Sequence, residues 1–285
     1  MPSTHTSPQG MKEPVLAIVI PPDHPPQDIL SAAREAEDAG VEEVWLWEDC
    51  FATSGLAPAA AILGATGLRV GLGLMPVPLR NPALATMEVA TLAAMFPGRF
   101  LPGFGHGILG WMGQAGARVR SPLTLLREHL GAVRALLAGE ELSVQGRYVV
   151  LDRVALRWPP AQVPPLLVGG RGPRTLALAG ELGDGLILDD VAPEGRADPD
   201  RLREVLEVVR AARAQAGREG PLEVVAFLPT VADVTVEDLR REVGALAAAG
   251  ATRVAVVAGG VDGPPAGGGR IGELARLLGR AALSP

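Results

Sequence analysis

The stretch LRVGLGLMPVPLRNPALATMEVATLAAMFPGRFLPGFG, residues 68–105, reads as strand, helix, strand. Its two ends, LRVGLGL (68–74) and RFLPGFG (99–105), are short and largely apolar on successive residues, the pattern of strands covered on both faces. Between them, PALATMEVATLAAM (82–95) places proline in its first turn, where a missing N–H does no harm, and stops at Pro97-Gly98. A helix joining two strands of one sheet makes them parallel, with a right-handed crossover.

The same alternation extends in both directions. Upstream lie strands VLAIVI (15–20) and VEEVWLW (41–47); downstream lie PLLVGG (165–170), DGLILD (184–189), LEVVAFLP (222–229) and TRVAVVAG (252–259). Helical patterns fall between them at 27–39, 121–139, 200–216, 236–249 and 270–283. The helix at 27–39 closes at Gly40, and the one at 236–249 closes at Gly250. The helix at 121–139 opens with Ser121 as N-cap and Pro122 at the first helical position. Eight strands at roughly 33 residues per strand–helix pair point to a (β/α)8 TIM barrel. A doubly wound open sheet is the other arrangement that strict alternation allows. Against it, the first strand runs into PPDHPPQ (21–27) and not into a G-x-G-x-x-G turn.

Composition bounds the function. The 36 glycines and 26 prolines are together roughly 22% of the 285 residues, below the range of low-complexity disorder, and 48% of the chain is hydrophobic. One cysteine, Cys50, excludes an intrachain disulfide and a cysteine-rich zinc site. A net charge of −6 argues against a nucleic-acid partner. Residues 1–14 read as a disordered tail without the apolar segment of a signal peptide, followed by one domain over 15–285. No membrane span is expected, and the cytoplasm is the default location.

Two segments break the repeat: GHGILGWMGQAGARVR (105–120), read as a long loop, and EELSVQGRYVVLDRVAL (140–156), read as a small hairpin. Both belong to an insertion after strand four. A barrel carries its active site at the C-terminal ends of the strands. There the sequence places Glu48, Asp49 and Cys50 after strand two, and Gly73, Leu74 and Met75 at the end of strand three. Gly105 and His106 end strand four, with Trp111 and Met112 beyond as candidate pocket walls, and Gly169, Gly170, Arg171 and Gly172 follow strand five. Neighbouring residues on extended chain point oppositely, so at most one of Glu48 and Asp49 faces the mouth, where it could serve as acid or base; otherwise they are ordinary loop carboxylates. Cys50 has no visible activating partner and reads as filler. His106 alone of four histidines combines a strand end with glycine neighbours, as a ligand donor, a proton shuttle or a backbone-fixing loop histidine. The loop 169–175, GGRGPRT, offers backbone N–H groups and a helix N-terminus to an anion, or is an ordinary tight turn. The loop 259–269 reads as a flexible connector. No metal-ligand motif is present.

The tracts GFGHGILGWMGQAG and GGRGPRTLALAGELGDG, with VWLWEDCFA and VGLGLMPVPLRNP before them, resemble the luciferase-like flavin-dependent oxidoreductases. The likeness is closest to their deazaflavin (coenzyme F420) branch, methylenetetrahydromethanopterin reductase-like proteins among them. The resemblance implies a (β/α)8 barrel, commonly a homodimer, with the deazaflavin at the strand C-termini and its phosphate-bearing tail on Gly169, Gly170, Arg171 and Gly172. It implies a non-proline cis peptide at Gly73-Leu74 and a cofactor-side role for Asp49. Where some members carry histidine next to that aspartate this chain has Cys50, which leaves His106 and Glu48 as the other proton-transfer candidates. The reaction so implied is hydride transfer between F420 and a small organic substrate. FMN with a monooxygenase reaction, or cofactor binding without turnover, are the alternatives.

Overall fold

The computed structural model describes residues 13–231, 233–259 and 269–282. Most of the expected tail (1–12) and of the connector at 259–269 (260–268) lies outside the described residues. Eight parallel strands close into a barrel in the order β1-β10-β9-β8-β7-β4-β3-β2. They are β1 (Val15–Ile20), β2 (Glu43–Leu46), β3 (Arg69–Pro76), β4 (Phe100–Gly105), β7 (Leu167–Gly169), β8 (Gly185–Leu188), β9 (Glu223–Thr230) and β10 (Arg253–Ala258). Each falls on a run predicted as a strand. The remaining two strands, β5 (Leu142–Gln145) and β6 (Val150–Val154), form the antiparallel hairpin of the insertion.

Around the barrel pack α1 (Ile29–Asp38), α2 (Leu56–Ala65), α3 (Pro82–Met95), α5 (Pro122–Leu137), α6 (Pro173–Leu182), α7 (Pro199–Gln215), α8 (Val236–Ala249) and α9 (Gly269–Ala282). Local chemistry sets their ends. Asn81 accepts the Ala83 amide at the start of α3, and Thr235 with Asp238 forms a capping box on α8. Gly250 ends α8 at φ 117°, where a side chain would strain the backbone. Ser121 departs from expectation: its hydroxyl pairs with Thr124 Oγ1 at 2.8 Å and caps no amide. The segment 105–120 is not all loop either, because Leu109–Gln114 forms a short helix, α4.

Strand alternation divides the core in two. Ala17, Val19, Trp45, Leu101, Leu167, Ile187, Val225, Phe227, Ala255 and Val257 fill the barrel interior, while the outward strand faces pack against the helices. The interior is asymmetric because β3 contributes glycine there. A Cβ on Gly71 would strike the Trp45 indole, and one on Gly73 would lie 2.9 Å from Phe227. At the barrel floor Glu43 is fully buried, pairs with Arg253 and accepts the Trp45 indole N–H at 2.8 Å.

Candidate active site

The C-terminal ends of the strands form the mouth. After β2 the chain turns through Glu48, Asp49 and Cys50, and the Asp49 carbonyl accepts the Ala52 amide at 2.9 Å. A cleft of about 430 Å³ opens beside this turn, lined by Glu48, Asp49, Cys50, Phe51, Arg80 and Leu84 among others. Glu48 is fully engaged. Two guanidinium nitrogens of Arg80, on the loop after β3, meet its two oxygens, one of them at 2.9 Å, and the Gly55 amide donates to it at 2.9 Å. Arg80 also reaches Glu88 on α3 at 3.1 Å. Of the two adjacent carboxylates, Glu48 is therefore the clamp and Asp49 the one left with no side-chain partner among the described residues. Burial pushes the Asp49 carboxyl above the ordinary aspartate range. Burial, then the Glu48 and Asp49 charges, push the Cys50 thiol up, which disfavours the nucleophilic thiolate.

The end of β3 is bulged. Its pairing with β4 shifts register between Leu72 and Met75, and the Gly73–Leu74 peptide is cis, as the resemblance implies; so is Cys50–Phe51. The Leu74 side chain lies over two glycines. A Cβ on Gly105 would come 2.5 Å from Leu74 Cδ2, and one on Gly169 would collide with the same methyl. Met75 is buried in the opposite direction, among the helix-facing core. His106, just past β4, is tied across the mouth to α6: Nε2 lies 3.0 Å from Thr175 Oγ1. Its Nδ1 is buried without a partner, and burial lowers its pKa, against an opposing pull from the Pro122 backbone. Met112, expected in a pocket wall, is 1% exposed and sits on α4 under Gly107, with Trp111 half-buried beside it.

In the loop after β7 Arg171 is already paired, while Arg174 at the start of α6 is exposed with no side-chain partner among the described residues. Arg171 gives Nε and Nη2 to the two oxygens of Asp189, at 2.7 and 2.8 Å. Arg201 holds Asp190 at 2.9 Å. The amides of Arg171, Gly172 and Arg174, at the start of α6, have no acceptor among the described residues. On the far side of the mouth Trp47 packs on Phe227, with ring centroids 5.4 Å apart, and its indole Nε1 is buried without a partner. Sequence alternation places Trp45 and Trp47 on one face. The structure keeps them there, both against Phe227: Trp45 is fully buried inside the barrel, and Trp47 stands one layer higher with its polar atom unspent.

This arrangement suits a flat, anion-bearing cofactor. A glycine-backed bulge forms a smooth wall, open amides could receive an anion, and buried polar atoms stand unpaired nearby. Among the described residues no three His, Cys, Asp or Glu side chains are placed to hold a metal, and no helix is long and apolar enough to cross a membrane.

Comparison with known proteins places the chain. Residues 3–276 match the luciferase-like monooxygenase family, and the chain belongs to it. It is 26% identical to a 5,10-methylenetetrahydromethanopterin reductase of Methanolobus tindarius, over 71% of this chain and 60% of the relative. It is 29% identical to an F420-dependent glucose-6-phosphate dehydrogenase of Nakamurella multipartita, over 68% and 60%. The matched stretch thus spans about three fifths of the length of these relatives. The solved structure of the coenzyme F420 dependent tetrahydromethanopterin reductase from Methanopyrus kandleri shares the fold. Its TM-score is 0.78 at 18% identity, covering 94% of this chain and 98% of that one.

Proposed function

We propose that this member of the luciferase-like monooxygenase family is an F420-dependent oxidoreductase acting on a small organic substrate. The observation that carries the proposal is the Leu74 bulge seated on Gly105 and Gly169, on the strand that neighbours the one leading into the unpaired carboxyl of Asp49. Relatives whose names state F420 dependence support it.

A bound 5-deazaflavin supplies two-electron chemistry as hydride transfer. In this reading Leu74 backs the ring. The amides of Arg171, Gly172 and Arg174, with Gly169 and Gly170 leading into them, receive the anionic tail at the N-terminus of α6. His106, held by Thr175, keeps Nδ1 for a hydrogen bond to the ring edge or substrate. Asp49 takes the substrate hydroxyl proton in oxidation and returns it in reduction, and its raised pKa brings it nearer the working pH of such a base. Glu48 does not move a proton; through Arg80 it fixes the turn that carries Asp49. Trp47 and Phe227 wall the substrate space against water. Two copies pair across α3, a reading supported by the exposure of Leu84, Met87 and Met95 on its outer side.

Titration with the deazaflavin, followed by its fluorescence, gives a saturable change in wild type. Asp49→Asn then retains binding but loses roughly 10²-fold in hydride exchange. Tight FMN binding with oxygen uptake and no deazaflavin response would replace this reading with the monooxygenase one.

A further inference from the structure

The chain carries a formal charge of −6, yet two of its stretches, residues 89–127 and 153–180, contain no aspartate or glutamate. The first includes β4, α4 and the start of α5; the second includes β7 and most of α6. Strands β4 and β7 are neighbours in the barrel, so the two stretches adjoin at the mouth. His106 ties them together there. Its Nε2 lies 3.0 Å from Thr175 Oγ1 in the first turn of α6, and the Pro122 backbone, at the start of α5, stands beside the same ring. Further along, Arg127, the sixth residue of α5, meets Glu181, the ninth of α6, at 2.6 Å. Helices rise about 1.5 Å per residue, so the two helix starts stand within about a turn of one level.

The charge of this quadrant is positive and uncommitted. Arg118 and Arg120 precede α5 and Arg174 lies in the first turn of α6; all three are exposed, and none has an ion-pair partner among the described residues. The carboxylates that border the quadrant are mostly spent. Glu128 accepts the amides of Arg147, Tyr148 and Val149, beside the Arg147 charge. In the β8 loop Asp189 holds Arg171, Asp190 holds Arg201 and Asp198 caps α7, which leaves Glu194. The start of α5 adds open donors: Ser121 caps no amide, and the Leu123 and Thr124 amides have no acceptor among the described residues.

Resting on the F420 reading above, we infer that Arg174, Arg120 and Arg118 hold the coenzyme's tail beyond its phosphate. F420 continues past its phosphodiester into a chain of glutamates, so its outer end is a row of carboxylates, which guanidinium forks match. With the phosphate on the α6 amides, the glutamates pass Arg174 and cross to the start of α5. FMN ends at its phosphate and has nothing to place there. An exposed guanidinium–carboxylate pair strengthens binding about 1.5- to five-fold, so three together raise it roughly ten-fold.

The test titrates the full chain with two forms of the deazaflavin, one ending at the lactyl group beyond the phosphate and one carrying five glutamates, and follows the fluorescence. Wild type binds the glutamylated form about ten-fold tighter in low salt, and the ratio falls to about two-fold in 0.5 M salt as the charges are screened. Arg118→Ala with Arg120→Ala narrows the low-salt ratio about three-fold or more and leaves the affinity for the short form unchanged, while lysine at both positions keeps most of the ratio. The salt series on wild type reads the same charge dependence if a variant does not fold. A wild-type ratio below about two-fold in low salt, or one unmoved by salt or by the alanine pair, overturns the inference alone. No saturable change with either form overturns the F420 reading, and this assignment with it.

Discussion

Replacing Arg80 with alanine tests whether its clamp on Glu48 holds the turn that carries Asp49. The two side chains are 15% and 10% exposed, so water screens them poorly. Two unit charges 4 Å apart at an effective dielectric of 20 attract by about 4 kcal/mol. Removing both ions from water offsets roughly half of this, leaving a coupling of about 2 kcal/mol. Arg80→Ala leaves the Glu48 carboxylate with the Gly55 amide as its remaining partner, and also releases Glu88, so a loss of about 3 kcal/mol is expected. Glu48→Gln keeps the shape but weakens the fork, for about 2 kcal/mol. If the clamp is real, the double variant loses about 3 kcal/mol rather than 5. Equilibrium urea unfolding of the four proteins measures this, with unchanged slopes confirming that one transition is compared. A double variant additive to within about 0.5 kcal/mol refutes the clamp, and with it the assignment of Glu48 as a positioning residue.

Two further outcomes follow from the core. His129 on α5 is fully buried against the Phe104 ring with neither nitrogen partnered; burial, then the Arg80 charge, lower its pKa to about 4. The folded state thus binds its proton less readily than the unfolded chain, so stability is full above roughly pH 6.5 and falls as pH drops toward 4. Between pH 7 and 4 wild type loses about 3 kcal/mol more than His129→Leu in a denaturant series, and parallel losses would show that the histidine is not the acid-sensitive group. At the bulge, Gly105→Ala puts a methyl 2.5 Å from Leu74 Cδ2 and lowers stability by about 1–3 kcal/mol. Adding Leu74→Ala opens the space, so the glycine substitution does little harm in that background; an equal penalty in both backgrounds would mean the contact is not what the glycine serves.

Much of the barrel was legible because its signals are local. The predicted strand LRVGLGL became β3 from Arg69 onward, and the predicted helix 82–95 became α3 without a change of boundary. Proline at a first turn and glycine at a helix end act over a few residues and need no partner elsewhere. The misreadings also have local causes. Glycines in the 105–120 segment hid the one and a half turns of α4, and Ser121 stands where an N-cap belongs while its hydroxyl is drawn to Thr124.

The site was legible only as a set of positions. Strand ends named Glu48, Asp49, Leu74, His106 and Arg171, but the state of each side chain depends on residues far along the chain. Arg80 lies 32 positions from Glu48, Thr175 lies 69 from His106, and Asp189 lies 18 from Arg171. No periodicity or motif links those pairs; they meet because eight strands close into a ring and bring their C-terminal loops to one rim. Hydrophobic period and turn chemistry thus determined the order of elements from the sequence alone, since both act between near neighbours. Barrel closure alone decided which carboxylate is clamped and which is free, and that Arg171 is already paired. Ion pairing and burial depend on distance in space and not along the chain.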